Sequence, residues 1–420
     1  MSSLENTIQP ENVFNIDFFD TRLSSDLSRN YLSKLYLQQI TKNSTNIFKN
    51  MGTYTNQYVE NIGYKDIIKL LPFNGININE YKFVTECSRE CIKVFSGLFN
   101  CKDMNGQYTV GSSEAITIAL INFLHVWKSK AVSTNKPKIL IGHNSHTIIS
   151  YLAKILNIEI EYIECNSSLY KLNTELISEK LTSDIIGIIL TLGNTYTGEI
   201  DDIGAANKYL DDYYKACGIK IPIHVDAASG GFIVPFLKHY EIWDFRLDYV
   251  QSINVSSHKY GFTYPTLGWY LSRTKNKTEQ EIANKVDYLQ GQFSTTSINF
   301  SHPIYNLIIQ YYNFIRYGYQ GYTNIVNSLL ELKEYLVNEL SAISNINIID
   351  TKTQLPVINF TILNSTSKTN DLCKRLIELG WSIPVYPIKN YETHITRIVI
   401  RHGMTKKLCN KLIKDIKKAL

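Results

Sequence analysis

The segment His224-Val225-Asp226-Ala227-Ala228-Ser229-Gly230-Gly231 is followed, one strand–loop–strand unit later, by Ser256-Ser257-His258-Lys259. A carboxylate and an amine so spaced could hold a cofactor between them. Pyridoxal 5′-phosphate (PLP) needs both groups. A lysine bonds its aldehyde as a Schiff base, and a carboxylate pairs with its protonated pyridine nitrogen to keep the ring an electron sink. Whether Asp226 and Lys259 meet in space decides most of the functional reading.

Taken singly, each signal has a plainer explanation. Asp226 at a strand end could bind a metal or cap a loop. Lys259 could be an ordinary surface lysine. Gly111-Ser112-Ser113-Glu114, directly before a helical stretch, offers N–H groups and two hydroxyls to an anion, and could equally be a plain N-cap. His146 could stack on a cofactor ring or be structural, and His143 competes for the same role. Together and in this order they read as phosphate cup, ring stacker, pyridinium partner and Schiff-base lysine. Ser256, Ser257 and His258 would add phosphate contacts.

The elements that must position these groups alternate. Helical spacing covers residues 115–128, 150–156 and 202–216. Strand patterns cover 138–142, 158–163, 185–192, 221–225, 249–255 and 267–271. Such alternation predicts a mainly parallel α/β sheet. A long helix is expected from 304 to 343 with a break near Gly318 to Gly321. Strands at 346–349, 355–363 and 395–401 and helices at 370–379 and 405–420 then predict a small α+β C-terminal domain. The expected division is an N-terminal arm packing on a partner subunit (1–55), a large α/β domain (56–330) and the small domain (331–420).

Composition narrows the classes. The 420 residues are 44% apolar and 19% charged, with net charge +5. Lys406, Lys407, Lys411, Lys414, Lys417 and Lys418 recur at helical spacing between apolar residues, which predicts a solvated helix face and no nucleic-acid partner. No run reaches the length of a membrane helix, and no secretory pattern opens the chain, so no membrane partner is expected. Seven cysteines without CxxC pairs suit reduced thiols and a cytoplasmic location. Cys87 and Cys91 share a helix face and read as buried positions. No metal site is expected.

The chain resembles the group II PLP-dependent decarboxylases, and within them the glutamate decarboxylases. The resemblance runs from about Asn50 to the C-terminus. It rests on His224 to Phe232 with Pro235-Phe236, on Trp243-Asp244-Phe245-Arg246-Leu247, and on Ser257-His258-Lys259-Tyr260-Gly261 with Gly268-Trp269. Thr195-Tyr196-Thr197-Gly198, Ile298-Asn299-Phe300-Ser301, Gln310-Tyr311-Tyr312 and Gly321-Tyr322-Thr323 extend it. It implies the fold type I, aspartate-aminotransferase-like architecture: a mainly parallel seven-stranded sheet plus a small C-terminal α+β domain. It also implies PLP as cofactor and α-decarboxylation of an L-amino acid, with glutamate giving 4-aminobutanoate and CO₂.

By that resemblance Lys259 holds PLP, Asp226 meets the pyridine nitrogen and Ala228 lies under the ring. Ser112, Ser113 and His258 hold the phosphate, His146 stacks on the ring and Thr195 lies near cofactor and substrate. Ser301 is supplied by the neighbouring subunit, which implies a homodimer or higher oligomer with interfacial sites. Arg397 grips the substrate α-carboxylate, Thr53 and Tyr54 receive the distal carboxylate, and Tyr288 on a mobile loop donates a proton.

The departures gather on the substrate side. Tyr54 stands where the family has Phe, Lys82 where it has Pro, and His302 where it has Arg. Ser88 lies near an Asp position, Pro265 is unusual, and bacterial members carry Gln at the position of His146. Aspartate, cysteine sulfinate, a biosynthetic amino acid or an aldehyde-forming outcome therefore stays open beside glutamate. A scaffold without activity is disfavoured by the intact Lys259, Asp226 and Arg397. The last helix ends at Leu420, so no regulation by a C-terminal extension is expected.

Overall fold

Isoleucine-rich runs bounded by polar turns build one seven-stranded sheet. The computed structural model describes residues 26, 47–60, 64–77, 80–130, 135–166, 170–273, 281–287, 292–349, 354–388 and 394–420. The strands are β1 (Met104–Thr109), β2 (Lys138–Gly142), β3 (Glu159–Ile163), β4 (Ile185–Thr191), β5 (Ile223–Asp226), β6 (Val250–Ser256) and β7 (Gly268–Arg273). Their order is β1-β7-β6-β5-β4-β2-β3. The pairs from β3 through β6 are parallel, and β7 is antiparallel to both β6 and β1. All seven residues of β4 are buried, as a β-branched strand covered on both faces should be. β1 was absent from the expected strands because it is polar and half-buried.

Helices α1 (Tyr64–Leu70), α2 (Lys82–Leu98), α3 (Ser112–Ser129), α4 (Thr147–Ile155), α5 (Ile177–Lys180) and α6 (Ile203–Cys217) accompany the sheet. On α2, Val84, Cys87, Cys91 and Phe95 form the buried stripe, and this is what occupies the two cysteines. α4 starts ahead of its expected position because the His146 ring caps it, accepting the Ile148 N–H at 3.1 Å. α6 is closed by Asp202 at its N-cap and left-handed Gly218 at its C-cap.

A short hairpin, β8 (Asn284–Val286) and β9 (Phe293–Thr295), leads into α7 (Tyr305–Ser341). α7 is interrupted at Gly318, whose φ is 57°, within the expected break. It runs through residue 330 and links the two sheets. The second sheet has the order β10-β11-β13-β12, from β10 (Ile346–Ile349), β11 (Val357–Ile362), β12 (Val385–Tyr386) and β13 (Ile395–Val399). It carries α8 (Thr366–Glu378) and α9 (Lys406–Ala419). All six α9 lysines are exposed, opposite a buried face of Cys409, Leu412, Ile413 and Ile416.

Residues 47–55 of the expected N-terminal arm lie against the chain's own C-terminal sheet. Met51 exchanges backbone bonds with Ser382 and Val399. Arg401, only 1% exposed, donates to the carbonyls of Ile47, Asn50 and Asn56 at 2.8–2.9 Å. The rest of the arm, apart from residue 26, lies outside the described residues.

Removing Arg401 leaves three carbonyls without their charged donor. Arg401→Ala should cost about 3 kcal/mol in urea unfolding, with Lys restoring only part of it. A loss below about 1 kcal/mol would show that the segment is held by other contacts.

Candidate active site

β5 and β6 are parallel neighbours, so their C-terminal ends open at one edge of the sheet. Open α/β sheets bind ligands there. Asp226 ends β5 and Lys259 follows β6, and both line one cavity of about 350 Å³. Ser112, Ser113, His146, Thr195, Ala228 and His258 line it too. Five segments distant in sequence thus converge.

The Asp226 side chain is buried. Its Oδ1 accepts the Ala228 N–H at 3.1 Å and the Asn254 amide at 2.9 Å. Among the described residues its Oδ2 accepts no hydrogen bond. Lys259 Nζ donates to Ser229 Oγ at 3.1 Å. Burial pulls the Lys259 ammonium down to about 8, against the opposing pull of Asp226 and with help from Arg397.

Ser112 and Ser113 open α3, whose first N–H groups lack intrahelical acceptors. Ser112 Oγ and Ser256 Oγ are 2.6 Å apart. Gly268 makes this approach possible: a Cβ there would meet Gly111 C at 2.6 Å and Ser112 N at 2.8 Å. His258 is anchored through Nδ1 to the Leu267 carbonyl at 2.9 Å. Burial first, and then Lys259, push its pKa down to about 4. Burial also lowers the pKa of His146. His143 instead stacks on Tyr162 with centroids 4.5 Å apart, and of these two histidines His146 lines the cavity.

Three further candidates stand beside Lys259. The Tyr54 ring lies 5.3 Å from Lys259 Nζ and 5.0 Å from the Arg397 guanidinium. Tyr386 flanks Arg397 at 5.5 Å. Arg397 donates to the Gly52 carbonyl at 2.6 Å, and among the described residues its buried Nε has no acceptor. The Tyr54 hydroxyl is 3.4 Å from the carbonyl oxygens of Asn194 and Thr195. Thr53 is half-buried and bonded to Thr55 Oγ1 at 2.8 Å.

Ser301 is exposed and is not on the cavity wall. Tyr288 lies outside the described residues. Ser88 and His302 line a separate cavity of about 670 Å³ with Gln107 and Tyr108, so within the chain they do not join Tyr54 at Lys259. Sequence reasoning overlooked Ser229, Asn254 and Asn299. A signal existed for Asn254: it forms with Ser252 and Ser256 a polar row of period two in a buried strand.

The match to known proteins agrees with this geometry. Residues 41–363 match the model of the pyridoxal-dependent decarboxylase conserved domain.

The chain belongs to the pyridoxal-dependent decarboxylases.

It is 33% identical over 385 residues to glutamate decarboxylase of Lactococcus lactis subsp. cremoris, covering 88% of this chain and 83% of the relative. It is 33% identical over 383 residues to glutamate decarboxylase of Solanum lycopersicum, covering 88% and 76%. The solved glutamate decarboxylase of Lactobacillus brevis superposes with TM-score 0.91 at 29% identity, covering 100% and 96%. This decarboxylase is therefore a carboxy-lyase with PLP as cofactor. The donor set fits that group: an unpaired carboxylate oxygen, a lysine amine and a helix N-terminus with two hydroxyls border one cavity.

A lysine ionising near 8 holds about one free amine in ten at pH 7, where an ordinary lysine holds about one in three thousand. In the apoprotein, acetic anhydride should label Lys259 with a pH midpoint near 8, read by peptide mass spectrometry. Labelling that rises alongside the surface lysines would refute the shift.

Proposed function

We propose that this decarboxylase converts L-glutamate to 4-aminobutanoate and CO₂, as a cytoplasmic homodimer or higher homo-oligomer. The observation that carries the reading is the row Lys259–Tyr54–Arg397, which sets a carboxylate-binding cation one aromatic ring away from the amine. The names and the extensive overlap of the relatives support glutamate as the acid. The free thiols of Cys87, Cys91, Cys101, Cys165, Cys217, Cys373 and Cys409 support a reducing compartment. No described helix is long and apolar enough to cross a membrane.

Bound PLP supplies an aldehyde that condenses with amines and a ring that accepts the electron pair left by departing CO₂. Lys259 would hold the aldehyde carbon and Asp226 the ring nitrogen. Ser112, Ser113 and His258 would hold the phosphate, joined by Ser301 from a neighbouring subunit. His146 and Ala228 would flank the ring, with Thr195 nearby. Arg397, with an unused Nε donor, would orient the α-carboxylate of the substrate. Tyr54 and Tyr386 pack on its guanidinium and exclude water, which strengthens its hold on an anion. Thr53 and Tyr54 would receive the distal carboxylate, and Tyr288 would return a proton to the substrate carbon.

The Tyr54 hydroxyl favours a second reading, a different acid, since a site with an added polar group can discriminate strongly. Purified protein with PLP, screened against L-amino acids with CO₂, amine and aldehyde all measured, separates the two. Amine from glutamate is expected. CO₂ from another acid alone, or an aldehyde product, would overturn the proposal. Lys259→Ala should abolish turnover. Arg397→Ala should lower kcat/KM by about a hundredfold or more while PLP affinity changes by less than about threefold.

A further inference from the structure

The polar row of β6 lies against the polar row of β5. In the parallel register His224 is opposite Ser252 and Asp226 is opposite Asn254. His224, Ser252 and Asn254 are all completely buried, and none belongs to the cavity wall. Burying three polar side chains together is costly unless each is satisfied, and here they satisfy one another. Asn254 Nδ2 donates to Asp226 Oδ1 at 2.9 Å. Asn254 Oδ1 is 2.8 Å from His224 Nε2, and His224 Nδ1 is 2.8 Å from Ser252 Oγ.

The direction of every bond follows from the carboxylate. An ionised Asp226 only accepts, so Asn254 must present its amide N–H₂ to it and its oxygen to His224. His224 Nε2 therefore carries the proton, Nδ1 accepts, and Ser252 donates its hydroxyl. The ring is neutral, because burial pushes His224 down to about 4 against the pull of Asp226 and Asn254.

We propose that Asn254, His224 and Ser252 are positioning residues: a hydrogen-bond chain across β5 and β6 that fixes Oδ1 of Asp226 and reserves Oδ2 for the cavity. The chain rests on the reading of Asp226 as partner of the cofactor's ring nitrogen, and deepens it. Reversing the Asn254 amide would set its oxygen against the carboxylate, two acceptors facing each other with no proton between them. The Ser252 hydroxyl, two side chains away, satisfies the Nδ1 acceptor of the tautomer that prevents this.

The test is Asn254→Asp, which keeps the shape and replaces the donor by a second carboxylate. The readouts are the PLP dissociation constant of the apoprotein and the pH midpoint of the visible band of the bound cofactor. The expected result is affinity weakened about tenfold or more and a midpoint raised by at least about half a unit. Weaker affinity with an unmoved midpoint would mean that Asn254 only packs, and would overturn the proposal. Unchanged values in both would also overturn it. If Asn254→Asp does not fold, Ser252→Ala decides: a moved midpoint supports the chain and an unmoved one refutes it. Asp226→Asn separates the two levels. If Asp226→Asn weakens PLP binding while Asn254→Asp and Ser252→Ala change nothing, the relay falls and the reading of Asp226 stands. If Asp226→Asn also changes nothing, both fall.

Discussion

A carboxylate taken out of water must be compensated by donors and a nearby cation, and the site is built around meeting this constraint at Asp226. Its compensation comes from the Ala228 backbone, the Asn254 amide and the charge of Lys259. Each partner depends on a larger feature. Ala228 requires the turn after β5, Asn254 the parallel register with β6, and Lys259 the loop that β6 launches. Gly230 lets that turn sit against β4, since a Cβ there would meet the Leu192 carbonyl at 2.3 Å. The strand order thus serves the placement of one carboxylate.

The substrate side is assembled differently. Thr53, Tyr54 and Arg397 come from opposite ends of the chain and meet because residues 47–56 are tied to the C-terminal sheet. Arg401 makes much of that tie, with a buried guanidinium spent on backbone carbonyls. Two arginines four residues apart therefore have unlike tasks. Arg401 uses its terminal nitrogens on the carbonyls of Ile47, Asn50 and Asn56, whereas Arg397 donates to the Gly52 carbonyl between two tyrosine rings.

Much of this was legible from residue order. The β-branched run of β4, the glycine break in α7 and the lysine face of α9 are local patterns with local causes. Asp226 and Lys259 were legible because strand ends in a parallel sheet face one edge. β1 was not, since its pairing is with β7 and its residues are polar. The fate of residues 47–55 was hidden because it depends on Arg401, far away in the chain. Within the chain His302 and Ser88 line a separate cavity, which residue order alone did not show. The row Ser252, Asn254, Ser256 was visible as a pattern, but its direction toward Asp226 needed the register of β5 on β6.

The central claim is that Lys259 is the lysine that carries PLP. Borohydride reduction of the PLP-loaded protein fixes the cofactor to whichever amine holds it, and peptide mass spectrometry locates that amine. Phosphopyridoxyl confined to Lys259 is the expected result. Its appearance on another lysine, with Lys259 unmodified, would contradict the assignment of the site.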